Sequence, residues 1–156
     1  RFLLLVLTLV GISTMETSTM EQKMVANMSD QQVAFEAAER AVKTGEDWLN
    51  ALLEKPDSAA TGGSDGLYQD LEAGWWSASP DWSTLQREGM TAATQETSAP
   101  AYVAEEMITG SRRDHYGASQ YGDTNTGVDF YRFTARGFGQ RAATEAIIET
   151  TYARRF

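Results

Sequence analysis

Four places in this chain carry side chains whose type and spacing bear on chemistry. The first is Gly122 to Asp129, where Asp123, Asn125 and, further on, Asp129 set oxygen ligands at alternate positions, as calcium loops do. Such a loop also needs an acid at its fifth position and a distal bidentate Glu. Both are missing, so a polar turn leading into a strand is the favoured reading, and no metal site is assigned. The second is His115, the single histidine, near Ser111 and Asp114. A nucleophile needs a base oriented by a third group on a defined turn. No such pattern surrounds His115, and a solvated loop residue is the plainer reading. The third is Glu105–Glu106. Adjacent strand residues face opposite ways, so these carboxylates cannot work as a paired acid and base. The fourth is the cluster Trp75, Trp76 and Trp82, which suits either an adhesive, sugar-stacking surface or a piece of core; core is the commoner use. No catalytic residue and no cofactor are assigned, and the chain is read as not an enzyme.

Composition narrows the choice further. The chain has 156 residues, a net charge of −9 and no Cys. An acidic protein is repelled by nucleic acid and by anionic lipid surfaces, so no nucleic-acid partner is expected. Without Cys there are no disulfides, no thiol catalysis and no Cys-rich zinc site.

The elements that would position anything begin with the first fifty-odd residues. Phe2 to Ile12 is apolar except for Thr8 and Gly11, and from Ser13 to Leu53 the chain turns polar without losing its helix formers. One long helix results, greasy at its start and hydrated at its end. Ser29 or Asp30 resembles an N-cap that would split it, but the apolar stripe continues across them, so an unbroken helix is favoured. Pro56 is expected to stop it. The eleven-residue run reaches only about 16 Å, short of the roughly 30 Å of a hydrocarbon core. Lower down, Met28, Phe35, Val42 and Leu49 recur every seven residues, with Leu52 on the same side. That stripe needs a partner surface.

Residues 57–100 read as loops with at most one short helix or strand. From Ala101 the period becomes two. Tyr102 to Met107, Val128 to Arg136 and Thr144 to Tyr152 each read as strands, with Tyr131, Phe133 and Ala135 on one face of the second. Three antiparallel strands with an apolar face need a cover, and the stripe on the long helix is the available one. The fold class is therefore α+β, a long N-terminal helix laid on a small C-terminal antiparallel sheet of at least three strands. The expected helix–sheet core is Met28, Phe35, Val42, Leu49, Leu52, Tyr131 and Phe133. The expected division is 1–23 for the hydrophobic half of the helix and 24–156 for the globular part, with an aromatic loop region 57–100 and the sheet in 101–156.

This layout resembles a type IV pilin. More narrowly, Leu7 to Met15, Met20 to Met28 and Ala34 to Glu39 are similar to the opening of the PilX group of minor pilins. Pro100 to Glu106, Tyr131 to Gly137 and Thr151 to Arg155 resemble strands near that group's C-terminus. The matching stretches cover about half the chain, at both ends. The resemblance implies a structural subunit of a type IV pilus, acting in pilus assembly and thereby in adhesion, aggregation or twitching motility. It implies other pilin subunits as partners, residence in the inner membrane before assembly, and an extracellular place in the fimbrium afterwards. It also implies that Arg1 falls six or seven residues inside the mature pilin. Many pilins close the C-terminal region with a disulfide; here hydrogen bonds or a bound ion must pin it.

The residues expected to pack in a filament are Phe2, Leu3, Leu4, Leu5, Val6, Leu7, Leu9, Val10, Gly11 and Ile12. Gly11 marks either a bend or a point of close helix approach. Two alternatives stay open at this stage. One is a secretion-system pseudopilin. The other is a secreted adhesive or binding domain carrying a leftover signal, with Arg1 as its basic end and Phe2–Ile12 as its apolar core.

Overall fold

The structure, a computed structural model, describes residues 1–63, 66–69, 71, 74–78, 82–85, 87, 90–107 and 128–156. It opens with α1, Phe2–Ala51, fifty residues in one unbroken helix. No proline lies within it, and its two glycines leave the helical ladder intact. The cap-like pair Ser29–Asp30 does not interrupt it. The helix ends earlier than Pro56 would require. Leu52 turns extended at ψ 138°, and its freed carbonyl accepts a hydrogen bond from the Arg154 guanidinium at 2.5 Å. A tertiary bond has replaced the next helical one, so the proline meets a chain that has already left the helix.

Among the described residues five strands follow: β1 (Ser58–Ala59), β2 (Leu67–Gln69), β3 (Ala101–Glu106), β4 (Asp129–Phe138) and β5 (Glu145–Arg154). They form one mixed sheet in the order β1-β2-β3-β4-β5. β3, β4 and β5 are antiparallel, with Ala104 opposite Phe133 and Ala135 opposite Ile148. β1 and β2 add parallel to the β3 edge. The three long strands stand where the alternating pattern puts them. The two short ones, with the 3-10 turn Trp75–Ala78 and the short helix α2 (Trp82–Leu85), lie in a region that the sequence reads as loops with at most one short helix or strand. Strands of two and three residues are too short to show a period.

The lower half of α1 lies across β3, β4 and β5. Ala34, Ala37, Ala38, Ala41, Val42 and Leu49 are buried on its sheet-facing side. Across from them Tyr102, Ala104, Tyr131, Phe133 and Ala135 complete the core, with Trp48, Leu52, Met90, Ile148 and Tyr152 at its margin. Met28 and Phe35 do not join it; they are 74% and 49% exposed. The reason is geometric. A seven-residue repeat drifts about 20° per heptad around a straight α-helix. Over three heptads the stripe therefore swings from the open side at Met28 into the sheet at Val42 and Leu49. The contacting surface between Asp30 and Gly45 is instead built of alanines, which carry too little apolar weight to dominate a periodicity.

Small residues set the distance between helix and sheet. A Cβ placed on Gly137 of β4 would lie 2.2 Å from the Ala34 carbonyl oxygen and 2.3 Å from the Ala38 nitrogen. A Cβ on Gly45 of α1 would lie 2.8 Å from the Phe133 ring. Helix and strand thus touch backbone to backbone at one end and ring to glycine at the other.

The far face of the sheet is also covered. Tyr68, Trp82 and Val103 are buried there, with Leu71, Trp75, Trp76, Leu85 and Ile147 packed around them. Trp75 and Trp82 stack at a tilt, centroids 5.1 Å apart, and the Arg136 guanidinium sits 4.7 Å from the Trp82 ring. Burial of Trp82 and half-burial of its two neighbours make this cluster a second core layer.

Candidate functional site

Nothing in the described part of the chain packs against the first half of α1. From Phe2, 81% exposed, to Ile12 the large apolar side chains stand open. The projection is longer than the apolar run itself, because Ser13 to Met20 adds only one charge, Glu16. One eighteen-residue window reaches a mean hydropathy of 1.6, so α1 is long and apolar enough, by length and composition, to cross a membrane. The eleven-residue run by itself remains shorter than a hydrocarbon core; the longer window extends beyond it into the polar-flanked part of the helix. Exposed leucines scattered over a surface need no explanation, but a continuous apolar element of this size marks an interaction surface.

The projection is anchored where it meets the globular part, at Asp30. Its carboxylate is buried and reaches across to the β4–β5 turn, not to its own helix. The Gln140 backbone N–H donates to Oδ1 at 2.5 Å. The Thr144 hydroxyl and Arg141 Nε donate to Oδ2 at 2.6 and 2.9 Å. Gly139 lets the turn come this close, since a Cβ there would meet Asp30 Oδ1 at 2.4 Å. The same turn is held from the other side by Thr97, whose N–H and hydroxyl both donate to the Gly139 carbonyl. Arg40 on α1 ties that loop back to the helix through Glu96 at 2.7 Å.

The Thr144 hydroxyl does most to hold the Asp30 carboxyl below the usual carboxylate range. Burial pushes the other way and is outweighed by it together with Arg141 and the backbone N–H groups of Gln140 and Arg141. A carboxylate with a lowered pKa stabilises the fold above its ordinary pKa, near 3.9, and the gain is lost as pH falls through the folded value. Urea midpoints of the native chain are therefore expected to drop as pH falls below about 4. Asp30→Asn should start lower and show a flatter acid limb. An unchanged acid limb in the variant would remove Asp30 from this role.

The other end of the lower helix is fastened without a disulfide. Lys55 Nζ lies 2.7 Å from Glu106 Oε1 and 3.0 Å from Asp129 Oδ1. Burial lowers the affinity of that ammonium for its proton, but the two carboxylates more than compensate, and its pKa is raised. Ser58 donates to the other oxygen of Glu106. Tyr152 donates to Asn50 at 2.9 Å, and Phe156 packs edge-on against Tyr131. A lysine side chain here neutralises a carboxylate pair that a bound cation would otherwise have to satisfy.

The family comparison bears on the same two regions. A family model described as PilX N-terminal matches residues 2–43, the projecting helix and its anchor. A second, described as type IV pilus assembly protein PilX C-term, matches residues 30–154. Between them they run through the aromatic middle as well as both ends. The chain belongs to the PilX family. It is a minor pilin of type IV pilus assembly. No curated protein and no solved structure matches it significantly.

Within this PilX chain the residues singled out from sequence fall in different places. Phe2 to Ile12 lie together on the open helix. Val42, Leu49, Tyr131 and Phe133 lie together in the core and Leu52 at its margin, while Met28 and Phe35 lie outside it. Asp123, Asn125, His115, Ser111 and Asp114 are outside the described residues, and Asp129 is paired with Lys55. Glu105 and Glu106 do face opposite ways, toward Arg132 and Lys55. Among the described residues no group of three metal-binding side chains converges. Sequence reasoning missed Asp30, Lys55, Gly137 and Gly139. For Asp30 and Lys55 the partners lie far along the chain, at Gln140 to Thr144 and at Glu106 and Asp129, and no local pattern joins them.

Proposed function

We propose that this PilX-family subunit works through α1, first as an inner-membrane anchor and then as a helix packed among other pilins in the filament. The observation that supports this reading is the unbroken exposure of Phe2, Leu3, Leu4, Leu5, Val6, Leu7, Leu9, Val10 and Ile12 on a helix locked to a folded domain. In water that surface is costly; in lipid, or against like helices, it is satisfied. Burying one Leu or Phe side chain contributes about 1.5–3 kcal/mol, so nine of them supply ample driving force even after the entropy losses of association. Residues 1–23 then serve insertion and packing, and 24–156 form the globular part that faces outward. Its partners are other pilin subunits, in a homo- or hetero-polymer, and its final location is the extracellular fimbrium. It acts there as a structural subunit and not as an enzyme, and through the pilus it contributes to adhesion, aggregation or twitching motility.

Leu5→Arg combined with Leu9→Arg tests this. Each removes a buried Leu and adds a charge to an apolar contact, so incorporation into sheared pilus fractions should fall by at least about tenfold, with the globular fold intact by tryptophan fluorescence. Normal incorporation of the double variant, or recovery of exported protein as a detergent-independent monomer lacking Phe2–Ile12, would remove the reading.

A further inference from the structure

Four of the six methionines stand on one fourteen-residue stretch of α1: Met15, Met20, Met24 and Met28. Three of them, at intervals of four, form a row along one side of the helix. They are 70%, 70% and 74% exposed. Met90 and Met107 are half-buried, Met90 against the core. The row lies between the greasy run and the Asp30 anchor, N-terminal to the alanines that meet the sheet. Thioethers are soft, readily oxidised groups, and oxidation follows exposure. A methionine sulfoxide is polar, so a row of three converts an apolar strip into a hydrated one.

We propose that Met20, Met24 and Met28 are an oxidisable modification site, and that their sulfoxidation by peroxide blocks entry of the subunit into the filament. The proposal rests on the reading that α1 packs against other subunits. In each step the thioether sulfur attacks one oxygen of hydrogen peroxide. An S–O bond forms and the O–O bond breaks, and after proton transfer the other oxygen leaves as water. Sulfur loses two electrons and the peroxide gains them. A methionine sulfoxide reductase with a thiol reductant returns the thioether.

The row suits this role better than the greasy run above it. Leu, Val and Ile side chains there have no comparable reactivity toward peroxide. Met15 is as exposed, at 75%, but the helical angle sets it on the opposite side from Met24. It therefore reports oxidation that does not touch the row.

The test uses the full chain in detergent, treated with dilute hydrogen peroxide and sampled over time. Mass spectrometry of its peptides should show Met20, Met24 and Met28 gaining one oxygen each at least about tenfold faster than Met90 and Met107. Equal rates at all six positions would overturn the site. For assembly, the readout is the ratio of incorporation into filaments with and without peroxide, taken within each variant. That ratio should fall at least about fivefold for the native chain and for Met15→Leu, and recover after treatment with the reductase. It should stay near one for Met20→Leu/Met24→Leu/Met28→Leu, in which volume is conserved and no sulfur remains. A native ratio near one, or a loss the reductase does not reverse, overturns the proposal. Failure of the packing reading is recognised separately, because the Leu5→Arg/Leu9→Arg arm involves no oxidant and the peptide-mapping arm involves no assembly.

Discussion

Gly137→Ala should cost about 3 kcal/mol or more of stability, far beyond what one methyl group usually does. The added Cβ would stand 2.2 Å from the Ala34 carbonyl oxygen, 2.3 Å from the Ala38 nitrogen and 2.8 Å from the Ala37 methyl. Two of these three atoms are helix backbone, which cannot rotate away as a side chain can. The helix must lift off β4, and lifting it exposes Ala34, Ala37, Ala38 and Ala41 together with the rings beneath Gly45. Thermal unfolding followed by tryptophan fluorescence should show a midpoint lower by roughly 10 °C. Gly11→Ala provides the contrast. Nothing lies within 4 Å of a Cβ there, and alanine is the better helix former by about 1 kcal/mol, so that variant should match or slightly exceed the native chain. Equal midpoints for the two variants would mean that helix and sheet do not meet this closely.

The second large effect is expected at the ion pair on the far face of the sheet. Glu105 is 1% exposed, and its carboxylate is in contact with the Arg132 guanidinium, itself 14% exposed. Arg132 also donates to the Leu71 carbonyl at 3.2 Å and lies 3.9 Å from Glu149. Cross-strand pairing sets Glu105 directly opposite Arg132, so the sheet register itself brings the charges together. Arg132→Met removes an ion-pair partner of a carboxylate that is only 1% exposed. Breaking a buried pair in this way costs about 3–5 kcal/mol, chiefly through the charge left behind. Replacing both residues by apolar ones removes that charge, and Glu105→Leu/Arg132→Leu should regain most of the loss. A urea series on the two variants checks it; a double variant as unstable as Arg132→Met would assign the loss to the Leu71 contact instead of the charge.

Both predictions depend on features that local sequence patterns do not show, while much of the rest was legible. β3, β4 and β5 were readable because side-chain alternation is a property of neighbouring residues. Tyr131, Phe133 and Ala135 face the helix, with Arg132 and Arg136 on the far side, as that alternation requires. The single long helix was readable for the same reason. Its end was not, because Leu52 leaves the helix for Arg154, which is 102 residues away. For the Trp-rich middle the sequence favours core over an adhesive surface, but which face of the sheet it covers is set only by the strands beneath it.

The sequence by itself determined that a greasy helical half runs into an amphipathic one and that a small sheet follows. It also determined family membership, because matching segments recur in order at both ends. Those properties are written in residues close to one another. Only the tertiary structure decided which side of α1 meets the sheet. A seven-residue stripe drifts around the helix, and alanine adds little apolar signal to oppose it. Close approach there is set by Gly137 and Gly45, and the helix is oriented by Asp30 on a turn more than a hundred residues further on. Such contacts arise from distance in space, and no period along the chain encodes them.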